Sequence, residues 1–259
     1  MWDPMQYVRF GDERSRPFHE LVARVGADPD DVKTVVDLGC GPGALTATLA
    51  DRFVRAHIIG VDNDEAMLHA AAEHTTQHVS FEHGDISTWK VDNAVDVLIS
   101  NAAFQWDLGH LERLPTLISN VRPGGWFAFQ VPGNLDDPHH QAIREVRRRP
   151  RWATIPALAA LADRTHVSKP ATVYADALAQ HASHLDAWET TYVHILQGDE
   201  PVLEWVKGTA LRPVLTALES DAMRAEFCDE LAALLRTAYP AKPYGTPFPF
   251  RRVFVVAQR

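Results

Sequence analysis

Short apolar runs and helical stripes take turns along the first half of the chain. Val35 to Leu38, Ala56 to Asp62, Val79 to His83, Val95 to Ser100 and Trp126 to Val131 have the length and β-branched content of buried strands. Ala44 to Ala50 and the stretch opening at Asn63-Asp64-Glu65 read as helices between them. Phe18, Leu21, Val22 and Val25 form one stripe, which predicts a helix from about Phe18 to Val25. Further on, Lys169 to His184 reads as a last crossover helix. Ala187 to Ile195 alternates as a strand, and Phe248 to Ala257 reads as a final, antiparallel strand. The fold class expected is α/β: a Rossmann-like, seven-stranded, mostly parallel sheet with helices on both faces. Two stretches exceed that plan, 136–168 and 199–240. Both look helical and are expected to form an inserted cap over the ligand edge. Residues 1–30 are expected to form an N-terminal lid and helix, and 1–259 reads as a single domain.

The first strand runs into Gly39-Cys40-Gly41-Pro42-Gly43 and then a helix. Alternating glycines let the backbone turn tightly and lie close to a ligand. Strand, glycine turn and helix N-terminus make a nucleotide cradle. Its spacing is not that of a dinucleotide site, whose third glycine follows the second by three residues; Gly43 follows Gly41 by two. Asp37, ahead of the first glycine, is placed to accept from a ligand ammonium. These residues resemble the first motif of the Rossmann-like S-adenosylmethionine-dependent methyltransferases.

In an open parallel sheet, ligands sit outside the carboxyl ends of the strands. Asp62 ends the second strand about twenty residues beyond the glycines, where an acid accepts from ribose hydroxyls. Asn63 and Met67 begin and line the following helix, while Asp64 is the better helix cap. Asp85 is positioned for an adenine amino group and Ile86 for the ring, unless the pair simply form a turn. Asn101, Gln105 and Trp106 follow the fourth strand, where loops line the site. Tyr7 is an aromatic of the lid. The cofactor-binding set is therefore Tyr7, Asp37, Gly39, Gly41, Asp62, Asn63, Met67, Asp85, Ile86 and Asn101.

A net charge of -9 argues against a general nucleic-acid binder. No apolar run is long enough for a membrane span, and the N-terminus lacks the pattern of a secretory signal, so a cytoplasmic protein is expected. The two cysteines, Cys40 and Cys228, make no disulfide framework or metal knuckle. Cys40 reads as a small close-packed residue. The thirteen histidines are scattered, and His139-His140 is expected in a loop. No metal site and no Ser/His/Asp set is expected. Arg147 to Arg151 reads as a solvated face, because consecutive helical residues do not point at one pocket.

Several blocks together narrow the family. Trp2-Asp3-Pro4 with Tyr7, Glu13-Arg14-Ser15-Arg16-Pro17, Asp37 to Gly43, Leu211-Arg212-Pro213, and Arg252 with Phe254 and Val256-Ala257 resemble the trans-aconitate 2-methyltransferases over nearly the whole chain. That resemblance implies methyl transfer from S-adenosylmethionine to a carboxylate, giving a monomethyl ester and S-adenosylhomocysteine. An ionised carboxylate needs no general base, since its reference pKa is about 4. Catalysis would rest on alignment and removal of water.

A tricarboxylate in an acidic protein calls for local arginines, whose forks pair with carboxylates. Arg14, Arg16, Arg212 and Arg252 are the candidates, with His19, Gln105, Trp106 and Tyr192 as further substrate-binding residues. Arg14 or Arg16 can instead serve the cofactor's own carboxylate. Arg251 and Arg252 are strand neighbours, so one of them faces the site; the resemblance favours Arg252. The two arginines at the start of the Phe18 helix are misplaced for its dipole and call for an anionic partner. The partners expected are a small polycarboxylate, no nucleic acid and no membrane, with the protein a monomer or small homo-oligomer. The competing readings are another small carboxylate or a hydroxyl as acceptor, or a non-catalytic S-adenosylmethionine-binding module.

Overall fold

The structure, a computed structural model, describes residues 11–91, 93–161 and 167–259, with side chains from Ser15 onward. Tyr7 and most of the expected lid lie outside the described residues, as does the side chain of Arg14.

Seven strands form one sheet: β1 (Thr34–Leu38), β2 (His57–Asp62), β3 (Val79–His83), β4 (Val95–Asn101), β5 (Val121–Pro132), β6 (His184–Leu196) and β7 (Thr246–Gln258). Their order is β3-β2-β1-β4-β5-β7-β6. β7 alone runs antiparallel to its neighbours β5 and β6. The other pairings are parallel, so the strand order reverses beside β1, between β1 and β4. In such a sheet a ligand crevice opens at that switch point.

Helices α1 (Gly11–Ala23) and α2 (Ala44–Arg52) cover one face, burying Phe18, Leu21, Leu49 and Phe53 against Val35, Ile99, Ala128 and Phe254. On the other face lie α4 (His110–Ser119) and α8 (Ala171–Leu178), packed on Leu98, Phe127, Phe129 and Val255. Between β2 and β3 runs α3 (Glu65–Ala71), capped by Asp64, whose Oδ1 accepts from Ala66 and Met67 N–H at 2.9 and 3.2 Å.

The remaining helices are α5 (Pro138–Arg147), α6 (Pro150–Ala153), α7 (Pro156–Ala159), α9 (Pro201–Lys207), α10 (Arg212–Ala217) and α11 (Asp221–Ala238). They share one core, with Trp152, Trp205 and Phe227 packed on Phe248 and Phe250 of β7. The reason lies in the register. β5 ends where Pro132 meets Arg252, but β6 and β7 continue pairing out to Leu196 and Thr246. The overhanging ribbon presents Phe248 and Phe250 beyond the sheet's edge, and the helices bury them.

Four expectations need correction. α1 begins at Gly11, not Phe18, and carries Pro17 inside it. An interior proline removes one backbone bond and its ring crowds the carbonyl four residues back; the full burial of Phe18 and Leu21 offsets that cost. Arg16 therefore lies in the second turn, where the dipole argument does not reach. The crossover helix α8 is shorter than 169–184. His139 and His140 are in the first turn of α5, not a loop. The arginine run is not simply solvated. Arg147 donates to the carbonyls of Leu158 and Leu161 at 2.8 and 2.7 Å, and Arg149 to Glu230 at 2.6 Å. Those carbonyls lie at and just beyond the end of α7, so the run closes the helical cluster on itself.

Candidate active site

The glycine turn takes its shape from three positive φ angles, at Gly39 (77°), Gly41 (57°) and Gly43 (78°). Two of these glycines are hemmed in: a Cβ on Gly39 would lie 2.2 Å from Ala103 Cβ, and one on Gly43 would lie 2.7 Å from the Phe81 ring. Gly41 differs, because a Cβ there would meet nothing within 4 Å. The turn therefore packs on one side and lies open at Gly41. Asp62 braces it, accepting from Gly41 N–H at 2.8 Å and from Asp64 N–H at 3.0 Å.

Asp37 lies beneath, fully buried on β1. Its Oδ2 accepts from Thr46 Oγ1 at 2.6 Å, and its Oδ1 has no hydrogen-bond partner. Burial pushes its carboxyl up to about 7; the Thr46 bond opposes that shift and the Asp62 charge adds to it. A buried unpaired acceptor costs roughly 1–3 kcal/mol. Burial likewise raises the Cys40 thiol, so it is no ready nucleophile.

Asp37, Asn101, Gln130, Arg252 and Tyr192 all project from the α1 side of the sheet, one from each of β1, β4, β5, β7 and β6 in spatial order. The register shows it: Asp37 pairs with Ile99, two residues before Asn101; Asn101 pairs with Gln130; Gln130 pairs with Phe254, two beyond Arg252; and Phe250 pairs with Tyr192. Gln130 Nε2 donates to Asn101 Oδ1 at 2.6 Å, and Arg252 Nη1 donates to Gln130 Oε1 at 3.4 Å. Arg252 is 7% exposed, and its guanidinium lies 4.5 Å over the Phe250 ring. Arg251 points the other way, to Glu189 and the Gly133 carbonyl.

α1 roofs this row. Tyr192 Oη donates to Glu20 Oε2 at 2.6 Å, Arg16 Nε donates to Glu20 Oε1 at 2.7 Å, and the Arg16 guanidinium lies 4.9 Å over the Tyr192 ring. Glu20 is thus the anionic partner of Arg16. Burial, and the Glu20 charge that accepts its proton, raise the Tyr192 phenol.

The other candidates are dispersed around the row. Gln105 is buried and donates to the Ala102 carbonyl, while Trp106 is 40% exposed beside it. Their turn is held from behind: His110 contacts the Asp107 carbonyl and the Tyr174 hydroxyl at 2.8 and 2.9 Å, and burial lowers its imidazole to about 4. Asp85 accepts from Ser87 N and Oγ and from Asn63 Nδ2, and hydrogen bonding holds its carboxyl low. Ile86 packs into the core of the opposite face, and Met67 is buried. His19 is exposed beside Phe18. Arg212 begins α10, flanked by buried Leu211 and Val214. Sequence reasoning missed Thr46, Glu20 and Gln130. Each is an ordinary polar residue in its own segment, and only the sheet register and helix packing bring it to the site.

Residues 35–125 match the model of a methyltransferase domain. The trans-aconitate 2-methyltransferase of Streptomyces coelicolor is 46% identical over 264 residues, spanning 100% of this chain and 86% of that protein. The chain belongs to the trans-aconitate 2-methyltransferase family. The member from Mycobacterium tuberculosis is 43% identical over 100% of this chain and 97% of its own length. Among solved structures, the YcgJ protein of Bacillus subtilis matches with a TM-score of 0.56 at 15% identity, covering 95% of this chain and 98% of that one. A phosphoethanolamine N-methyltransferase of Haemonchus contortus matches with a TM-score of 0.57 at 14% identity, covering 93% of this chain and 52% of that one. These two likenesses concern the fold.

The methyl donor of this methyltransferase is S-adenosylmethionine, and the residues present fit it. The turn is open where the backbone of Gly41 lies bare. The orphaned Asp37 Oδ1 is an acceptor waiting for a donor such as an ammonium.

Proposed function

We propose that this protein is a cytoplasmic carboxyl O-methyltransferase that converts trans-aconitate to a monomethyl ester, leaving S-adenosylhomocysteine. The observation that carries the acceptor reading is the buried cation of Arg252 in a polar row that begins at the cofactor turn. An arginine so desolvated favours an anionic ligand. The family's name supports the same acceptor.

Asp37, Gly39, Gly41 and Asp62 would hold the cofactor, with Asn63, Met67, Asp85 and Ile86 around it and Tyr7 over it. When bound, S-adenosylmethionine supplies an electrophilic methyl group on a sulfonium sulfur. The protein's work is otherwise positional. Arg252 would grip one substrate carboxylate; Arg16, Arg14 and Arg212 are the further cations, and Tyr192, His19, Gln105 and Trp106 would shape the cavity. The acceptor carboxylate is ionised near neutral pH, so no side chain has to take a proton from it. Burial of the row strengthens each charge-assisted contact and strips water from the nucleophile.

Incubation with S-adenosylmethionine and trans-aconitate, read by ester mass, is the test. A monomethyl ester is expected; none at saturating cofactor would refute the reading. A base-dependent pH profile with a phenol or alcohol would move the acceptor to a hydroxyl. Arg252→Met is expected to raise the KM for trans-aconitate at least about tenfold, the worth of one charge-assisted contact.

A further inference from the structure

Gln130 is 1% exposed and belongs to neither the glycine turn nor the arginine set. Its amide orientation is dictated by chemistry. A guanidinium only donates, so the atom facing Arg252 Nη1 at 3.4 Å must be Oε1. The other end, Nε2, only donates, and it reaches Asn101 Oδ1 at 2.6 Å. Asn101 therefore spends its acceptor on Gln130 and keeps its Nδ2 hydrogens for a ligand. The backbone of Gln130 takes hold of the same strand end, its carbonyl accepting from Ala102 N–H at 3.0 Å. Ala102 has a φ of 54°, a left-handed conformation that non-glycine residues hold only when their surroundings impose it. Side chain and backbone of one residue thus fix the end of β4 and the guanidinium of β7 together.

We infer that Gln130 is a positioning residue, a carboxamide bridge that sets Arg252 and Asn101 at a fixed separation and so places the substrate carboxylate against the cofactor side of the site. The inference rests on the polycarboxylate reading above. Gln130 touches neither reacting group; it acts through Arg252 and Asn101.

The test is calorimetric titration of trans-aconitate into the full-length protein saturated with S-adenosylhomocysteine. Wild type, Gln130→Met, Arg252→Met and the double variant are compared, each with its affinity for S-adenosylhomocysteine alone and its Tm. Gln130→Met is expected to weaken trans-aconitate binding roughly tenfold, as for loss of one hydrogen bond to a charged group. It should lower kcat as well as raise KM, because the acceptor is misplaced and not merely loosened. The double variant should bind trans-aconitate as Arg252→Met does. If Gln130→Met does not fold, Gln130→Glu serves: it still accepts from Arg252 but has no hydrogen for Asn101, and the same loss is expected. Unchanged trans-aconitate affinity in the Gln130 variants, or additive losses in the double variant, would overturn the inference while leaving the acceptor reading intact. Failure of wild type to bind trans-aconitate would overturn both.

Discussion

Asp37 shows how one buried carboxyl links stability to ligand binding. Its native pKa is about 7 against a reference of 3.8, so between those values the folded state holds a proton that the unfolded state has lost. Stability from this group is full below about pH 4 and drains away as pH rises towards 7. Asp37→Asn is expected to remove that drain and to narrow the Tm difference between pH 6 and pH 8. Ligand binding has the opposite sign. A cofactor ammonium favours the anion, so affinity for S-adenosylhomocysteine should rise between pH 6 and 7.5 in wild type and stay flat and weaker in Asp37→Asn, as read by calorimetry. Thr46→Val takes away the bond that favours the anion, which should move the midpoint of that rise to higher pH.

The glycine turn separates folding from binding within one element. Gly39→Ala would drive a Cβ into Ala103 and force a positive φ on a residue that resists it. A loss of more than about 2 kcal/mol is expected from strain and overpacking together, measured as a drop in urea midpoint. Gly41→Ala meets only the backbone penalty, about 1 kcal/mol, because its Cβ enters open space. That space is where the cofactor would lie, so Gly41→Ala should keep its fold and lose S-adenosylhomocysteine affinity. Equal affinity in the two variants would refute this division. The β6–β7 ribbon is the second element with a double task. Its inner part completes the sheet through Phe254 and Val256, and its overhang carries Phe250 and Tyr192 out to the site.

Across the molecule, the site falls where two cores meet. One is the sheet with α1 and α2; the other is the helical cluster on the overhang. Arg252 lies on β7 between Phe250 of one and Phe254 of the other. The cluster's integrity should therefore matter to the site at a distance. Glu230 ties it together, accepting from Trp152 Nε1 at 2.9 Å and Arg149 at 2.6 Å. Glu230→Leu strands the Trp152 indole N–H and takes from Arg149 the nearer of its two carboxylates, and is expected to cost about 1–3 kcal/mol in denaturant titrations. The associated loss in turnover should appear in the KM for the acceptor before the affinity for S-adenosylhomocysteine, since the glycine turn belongs to the other core. Among the described residues no helix is long and apolar enough to cross a membrane, and no group of three or more His, Cys, Asp or Glu side chains gathers to hold a metal.

Local chemistry along the chain was enough for the strands, the turn and the family. Alternating apolar runs specify which residues a sheet buries, and Asp37 with Gly39 to Gly43 specifies a tight turn whose three positive φ angles favour glycine. Helix limits were harder: the apolar stripe begins at Phe18, whereas α1 starts at Gly11 and runs through Pro17, whose local cost is offset by the packing of Phe18 and Leu21. The cofactor half of the site was readable because its residues are close in sequence and share one motif. The acceptor half was only partly so. Arg252 stood out as a charge, but Gln130 and Glu20 carry no local signal. Strand register sets Gln130 between Asn101 and Arg252, helix docking sets Glu20 against Tyr192, and these contacts join residues 29, 122 and 172 positions apart in the chain.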